Sequence, residues 1–133
     1  MAKYAALGTI LNVGGVIAQV RNVSGPNMTL DTDDVTTHDS TAAWEEHVGT
    51  ILRSGEVTFD LVYDPGDASH QSIFDQMVAR TAVACTITYT DTGATVASFN
   101  ALVTGLSPEA PHDGHLSASC TLKPTGAITG LGV

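Results

Sequence analysis

Positive charge is what this chain has least of. Five lysines and arginines stand against fourteen aspartates and glutamates, for a formal net charge of −9. Attraction to phosphates needs a Lys/Arg surface, so the balance argues against nucleic acid as a bound ligand. Charge of either sign is scarce, at 14% of residues, against roughly a quarter in ordinary soluble domains. Much of the surface is therefore expected to be covered by something other than water. Only seven aromatic residues occur, one of them tryptophan, too few for the exposed platform of a carbohydrate-binding module. No apolar run approaches the ~20 residues of a membrane span, and the stretch after Lys3 is too short for a secretory signal. The two cysteines, Cys85 and Cys120, lack zinc-like spacing. Both fall on inferred core faces, where a reduced, inert thiol is the expectation. A bridge needs their strands to be neighbours.

What is present reads as β structure. At 133 residues the chain is one domain, residues 1–133, able to bury roughly two-thirds of its unfolded surface. Val57, Phe59, Leu61 and Tyr63 alternate with Glu56, Thr58, Asp60 and Val62, the period of a strand with one core face. Cys85, Ile87 and Tyr89 alternate with threonines, Asp91-Thr92-Gly93 supplies a hairpin turn, and Val96–Leu106 continues the pattern. Ser107–Gly114 reads as a proline-bounded loop, and Leu116, Ala118, Cys120 and Leu122 alternate with Ser117, Ser119 and Thr121. Near the start, Thr9–Val13 and Val16–Val23 read as strands paired across Gly14-Gly15. One helix is expected over Ala68–Arg80: Asp67 is a suitable N-cap, and Ile73, Phe74, Met77 and Val78 fall at helical spacing. Pro124–Val133, rich in glycine, is expected to be a flexible tail. The fold class predicted is mainly β, an antiparallel sandwich or barrel with one flanking helix.

One stretch breaks the pattern. From Asp31 to Gly55 the residues are mostly polar and without period, so a long loop with little regular structure is expected. Yet it carries Trp44, Val48, Ile51 and Leu52. Large apolar groups in a segment with no core of its own are expected to bury against another subunit.

Chemistry is hard to find. His38-Asp39 and His112-Asp113 are adjacent pairs whose side chains usually point apart. Asp31, Asp33 and Asp34 lack the glycine and closing glutamate of a calcium loop. Glu45-Glu46-His47 is not a metal-ligand motif, no nucleophile elbow or phosphate-cradling loop occurs, and His70 is expected to be partly buried on the helix. No catalytic, cofactor or metal residues are assigned.

Four segments carry a family resemblance in order and spacing: LGTILNVGG, VRNVSGPNM, DVTTHDSTAAWEEHVGTILRSGEVTFDLVYDP and ALVTGLSPEAPHDGHLSASCTLKPTG. Over Leu7–Leu122 they resemble the tail tube protein of long-tailed, siphovirus-type bacteriophages. The resemblance implies a structural virion protein, made in the host cytoplasm, whose hexameric rings stack into a hollow tube. It also implies tape-measure, tail-tip and tail-terminator proteins as partners, with DNA passing through the lumen unbound. Within that picture Glu56, Thr58 and Asp60 are expected to face the lumen, because an acidic, hydroxyl-rich wall does not hold phosphates. A tube protein of a contractile or secretion system, or a monomeric β-sandwich binding module, is the competing expectation.

Overall fold

A computed structural model describes residues 3–131. The elements are β1 (Ile10–Val13), β2 (Val20–Ser24), β3 (Thr29–Asp34), β4 (His47–Arg53), β5 (Val57–Val62), α1 (Ala68–Ala79), β6 (Val83–Thr88), β7 (Val96–Glu109) and β8 (Ser117–Thr129). Six strands form one antiparallel sheet in the order β1-β6-β7-β8-β5-β2, which curls toward a half-barrel. β3 and β4 pair only with each other and stand apart from it.

The core follows from period two. Val57, Phe59 and Leu61 of β5 are buried beside Ala118, Cys120 and Leu122 of β8, their register partners. Ala97, Phe99, Ala101 and Val103 continue the layer on β7, then Cys85 and Ile87 on β6, then Leu11 and Val13 on β1. The small side chains on β7 leave room for α1, which packs on that strand and buries Ile73. Asp67 caps the helix by accepting from the Ser69 N–H at 2.8 Å, and Arg80 closes it in the left-handed region. Phe59→Ala would remove roughly 3–5 kcal/mol of this packing.

His70 is more deeply placed than its sequence setting suggests. It is 1% exposed, with Nε2 2.7 Å from the Ala18 carbonyl and Nδ1 accepting the Asp64 N–H at 3.0 Å. The Ala18 N–H in turn donates to Ser69 Oγ at 3.2 Å. These bonds explain why the expected β1–β2 hairpin does not form. The connection after Gly14-Gly15 carries Ile17 into the core and is held by the helix, so β1 pairs with β6 and β2 with β5. β1 and β2 end up as opposite edges of the sheet.

Two further expectations are corrected. Pro124 does not begin a tail: β8 continues to Thr129, with Pro124 opposite Ala101 and Thr129 opposite Ser98. Pairing to β7 on one side suffices there, although β5 no longer covers the other. Likewise β7 runs on to Glu109, with Pro108 opposite Ala118, so the loop begins later than the prolines suggested. Of the predicted tail, residues 132–133 lie outside the described residues.

Candidate assembly surfaces

The stretch from Asp31 to Gly55 is not an irregular loop. Thr29–Asp34 and His47–Arg53 form an antiparallel ladder, Thr29 opposite Arg53 and Asp34 opposite His47, with a bulge between Leu30 and Thr32. A two-strand ladder lacks a core, so its hydrogen bonds and cross-strand pairs must hold it. Arg53 Nε lies 2.7 Å from Asp31 Oδ2, the Thr50 hydroxyl donates to the Asp31 carbonyl at 3.1 Å, and Leu30 faces Leu52. At the base the chain passes so close to itself that only glycine fits. A Cβ on Gly25 would sit 2.5 Å from the Glu56 carbonyl oxygen, and Gly55, at φ +65°, crowds Asn27.

The tip is tied by its own polar groups. Val35 N–H donates to the Glu46 carbonyl at 2.9 Å, Glu46 N–H to Thr36 Oγ1 at 2.7 Å, and Ser40 Oγ to Glu46 Oε2 at 3.0 Å. The Thr36 hydroxyl and amide hold the Asp34 carboxyl below its ordinary value. A single 3-10 turn, Thr41–Ala43, precedes Trp44, and Ala42 and Ala43 both take left-handed backbone. That conformation costs an alanine about 1–2 kcal/mol.

The arm exposes what a core would hide. All of β4 is exposed, Trp44 is 75% and Leu52 79% exposed, and Val48, Ile51 and Leu30 are exposed as well. The arm also carries six of the fourteen acids (Asp31, Asp33, Asp34, Asp39, Glu45, Glu46) and one base, Arg53.

The outer face of the main sheet is a second surface. Register aligns Asn22, Asp60, Ser119 and Ser107 in one cross-strand row, and Ser24, Thr58, Thr121 and Gly105 in the next. Ser119 Oγ donates to Asp60 Oδ1 at 2.9 Å, so Asp60 is a partnered carboxylate rather than an isolated one. Thr58 and Glu56 are exposed on the same side of β5, opposite Val57 and Phe59. Small hydroxyl and amide groups dominate this face.

None of the adjacent polar pairs assembles into a reaction site. His112 Nε2 is 3.7 Å from Asp113 Oδ1 and His47 Nε2 3.1 Å from Glu45 Oε2, both on open surface without a nucleophile. Asp31 and Asp33 share a strand face that Asp34 does not, and among the described residues no three His, Cys, Asp or Glu converge as a metal site. Cys85 and Cys120 are free and buried, on strands separated by β7. Burial pushes the Cys85 thiol up to about 11 and the Cys120 thiol, with the Asp60 charge adding, to about 12.

A buried β core, an arm that exposes large apolar groups outside it and a sheet face dominated by small polar groups are the features of a structural subunit, the class to which this domain is assigned. The chain belongs to the lambda phage tail tube protein family, whose model matches residues 14–129. It is a structural protein of the tail tube of the virion. No curated protein sequence matches it. Among solved structures it is similar to a chain of the virion of a native gene transfer agent particle, with TM-score 0.80 and 14% identity over 96% of this chain and 98% of that one. A chain from the tail of an empty gene transfer agent particle, refined with C6 symmetry, gives TM-score 0.73 and 17% identity over 91% and 92%. A third, from the sheath/tube terminator of the PVC extracellular contractile injection system in its extended state, gives 0.74 and 17% over 97% and 96%. No helix among the described residues is long and apolar enough to cross a membrane.

Proposed function

We propose that six copies close into a ring, that rings stack into a hollow tube, and that the β3–β4 arm makes contacts between subunits through Trp44, Val48, Ile51 and Leu52. The observation that carries this reading is the arm itself: its large apolar groups lie outside the core and its β4 strand is exposed throughout. Burying them against a neighbour removes a surface that would otherwise promote disordered aggregation. The C6 symmetry of the similar gene transfer agent tail supports the sixfold ring. The free edges β1 and β2 give each subunit two further places to pair. In this reading the protein is not an enzyme, and tape-measure, tail-tip and terminator proteins meet the tube within and at its ends.

The lumen is assigned to the outer face of the sheet, with Glu56, Thr58 and Asp60 toward the passing DNA. Repulsion and weak hydroxyl contacts leave the duplex unbound, whereas lysines would hold it by counterion release. Glu56→Lys with Asp60→Lys should preserve tubes and slow ejection; unchanged ejection contradicts the lumen assignment. For the arm, Thr32–Thr50 is replaced by a tight two-residue turn that keeps Leu30 and Leu52 at its base. Negative-stain microscopy should show rings and tubes for the parent protein, and a folded monomer for the shortened one. Tubes from the shortened chain, or loss of its fold, would show that the arm is not the assembly element.

A further inference from the structure

The sheet does not close, and its open end holds a groove of about 460 Å³. One wall is β2 from Val20 to Val23, the floor is Ile87 of β6 and Tyr89 just after it, and the segment Tyr4–Thr9 forms the roof. Thr90 Oγ1 donates to the Ala5 carbonyl and Tyr4 Oη is 3.3 Å from Thr92 Oγ1, so the roof is fastened to the β6–β7 turn. The groove's apolar lining includes Val20 and Val23, both half-buried, and Ile87, while Leu7 of the roof is 94% exposed. Its one cation is Arg21, which makes no salt bridge among the described residues and lies 3.4 Å from His115 Nε2. The one acid among the lining residues, Asp91, is already occupied: its carboxylate accepts from the Thr95 N–H at 2.7 Å and the Thr95 hydroxyl at 2.6 Å.

This groove complements the arm tip in charge and in apolar character. The tip offers one large apolar side chain, Trp44, followed directly by Glu45, whose side chain is 78% exposed and whose one neighbour of opposite polarity is the surface His47, 3.1 Å from Oε2. A subunit cannot fill its own groove with its own tip. Gly25 lines the groove and also forms the base of the arm. From that base the six residues of β3 extend for about 20 Å at roughly 3.3 Å each. The ladder thus holds the tip well away from its own groove and presents it to another copy.

We propose that the groove is the receptor for the arm tip of an adjacent copy. The Trp44 indole enters between the β2 wall and the Ile87–Tyr89 floor, and the Glu45 carboxylate pairs with Arg21 at the rim. A guanidinium suits this role because its planar fork can take a carboxylate by two parallel hydrogen bonds. The inference rests on the arm being an assembly element and names the surface that receives it.

The test places p-benzoylphenylalanine at position 44 in tubes assembled from mixed light and heavy-isotope subunits, then maps the photocrosslinks by mass spectrometry. Intermolecular crosslinks to residues 4–9, 20–25 or 87–91 are expected. Tubes whose crosslinks fall elsewhere overturn the docking site while leaving the role of the arm intact; failure of the parent protein to form rings or tubes overturns both. A charge exchange gives an independent reading. Arg21→Glu should raise the critical concentration for assembly at least tenfold without altering the unfolding curve, and adding Glu45→Arg to the same chain should restore it. Normal assembly by Arg21→Glu alone, or no rescue by the double variant, refutes the pairing.

Discussion

Two leucines of the same chemistry separate folding from assembly. Leu61 lies mid-strand in β5 and is fully buried, with Ala118 opposite it on β8. Leu52 lies on β4 opposite Leu30 and is 79% exposed. Leu61→Ala removes buried methyl groups and leaves a cavity, a loss of about 2–5 kcal/mol of subunit stability. In the free subunit Leu52→Ala removes only the cross-strand contact with Leu30, worth less than about 1 kcal/mol. If a neighbour buries Leu52, about four-fifths of the side chain's value of ~1.5–3 kcal/mol is still to be gained on assembly. Alanine keeps part of that, so the loss is about 1–2 kcal/mol per contact, or a roughly five- to thirtyfold rise in critical concentration. Guanidinium unfolding of dilute subunits measures the first quantity, and sedimentation of assembled protein against total concentration measures the second. The reasoning fails if Leu52→Ala costs the subunit more than about 1 kcal/mol, or if it assembles at the parent's concentration.

His70→Leu should destabilise the subunit by about 2–4 kcal/mol, because the Asp64 N–H and the Ala18 carbonyl both lose their partner at a half-buried site. Unfolding curves within 1 kcal/mol of the parent's would show that water replaces the imidazole at little cost. On the acid side, Ser69 holds the Asp67 carboxyl below its ordinary value and Thr95 does the same for Asp91, in each case through hydroxyl and amide. A lowered folded value means stability that is present above the unfolded value and lost as pH falls through the folded one. The melting temperature should therefore drop as pH falls below about 4, less steeply in Asp67→Asn with Asp91→Asn; an identical acid limb would refute the assignment. On the alkaline side, raised thiols mean stability that is complete below the ordinary value of 9.0 and lost as pH rises through about 11 for Cys85 and about 12 for Cys120. At neutral pH both should react with a thiol reagent only as fast as the subunit opens, and rapid labelling of the native protein would contradict their burial.

What could be read from the residues depended on whether a strand has one dry face. β5, β6 and the first half of β8 do, and Val57, Phe59, Leu61, Cys85, Ile87, Cys120 and Leu122 fall where alternation puts them. β3 and β4 have two wet faces, so apolar and polar residues have no reason to alternate, and the ladder was invisible to a search for period. The exposed apolar groups of the arm are nonetheless plain in the sequence, because Trp44 and Leu52 have no stripe to join. The far half of β8 carries a strand signal of its own. Leu122, Pro124 and Ile128 continue on one face, and only Gly126 and the proline disguise them. The β1–β6 and β2–β5 pairings are tertiary, and no local feature of Gly14-Gly15 distinguishes them from a hairpin. The seam groove depends on those pairings and was equally beyond reach.

The division of labour along the chain also explains the scarcity of charge. In the proposed tube, a lumen face that stays wet yet binds nothing strongly is best built from threonine and serine, since threonine favours the extended chain and neither group carries a net charge. The rows through Asp60 and Thr58 approach that rule across four strands, with Asp60 the one charged side chain in them. Charge is gathered instead on the arm, where six acids surround a few large apolar groups. Their mutual repulsion keeps free arms from pairing with one another, so the hydrophobic tip stays available without driving disordered association. In the proposed docking, a single arginine at the groove helps to distinguish a correct partner from another arm, because it offers the acid-bearing tip a cation beside apolar side chains.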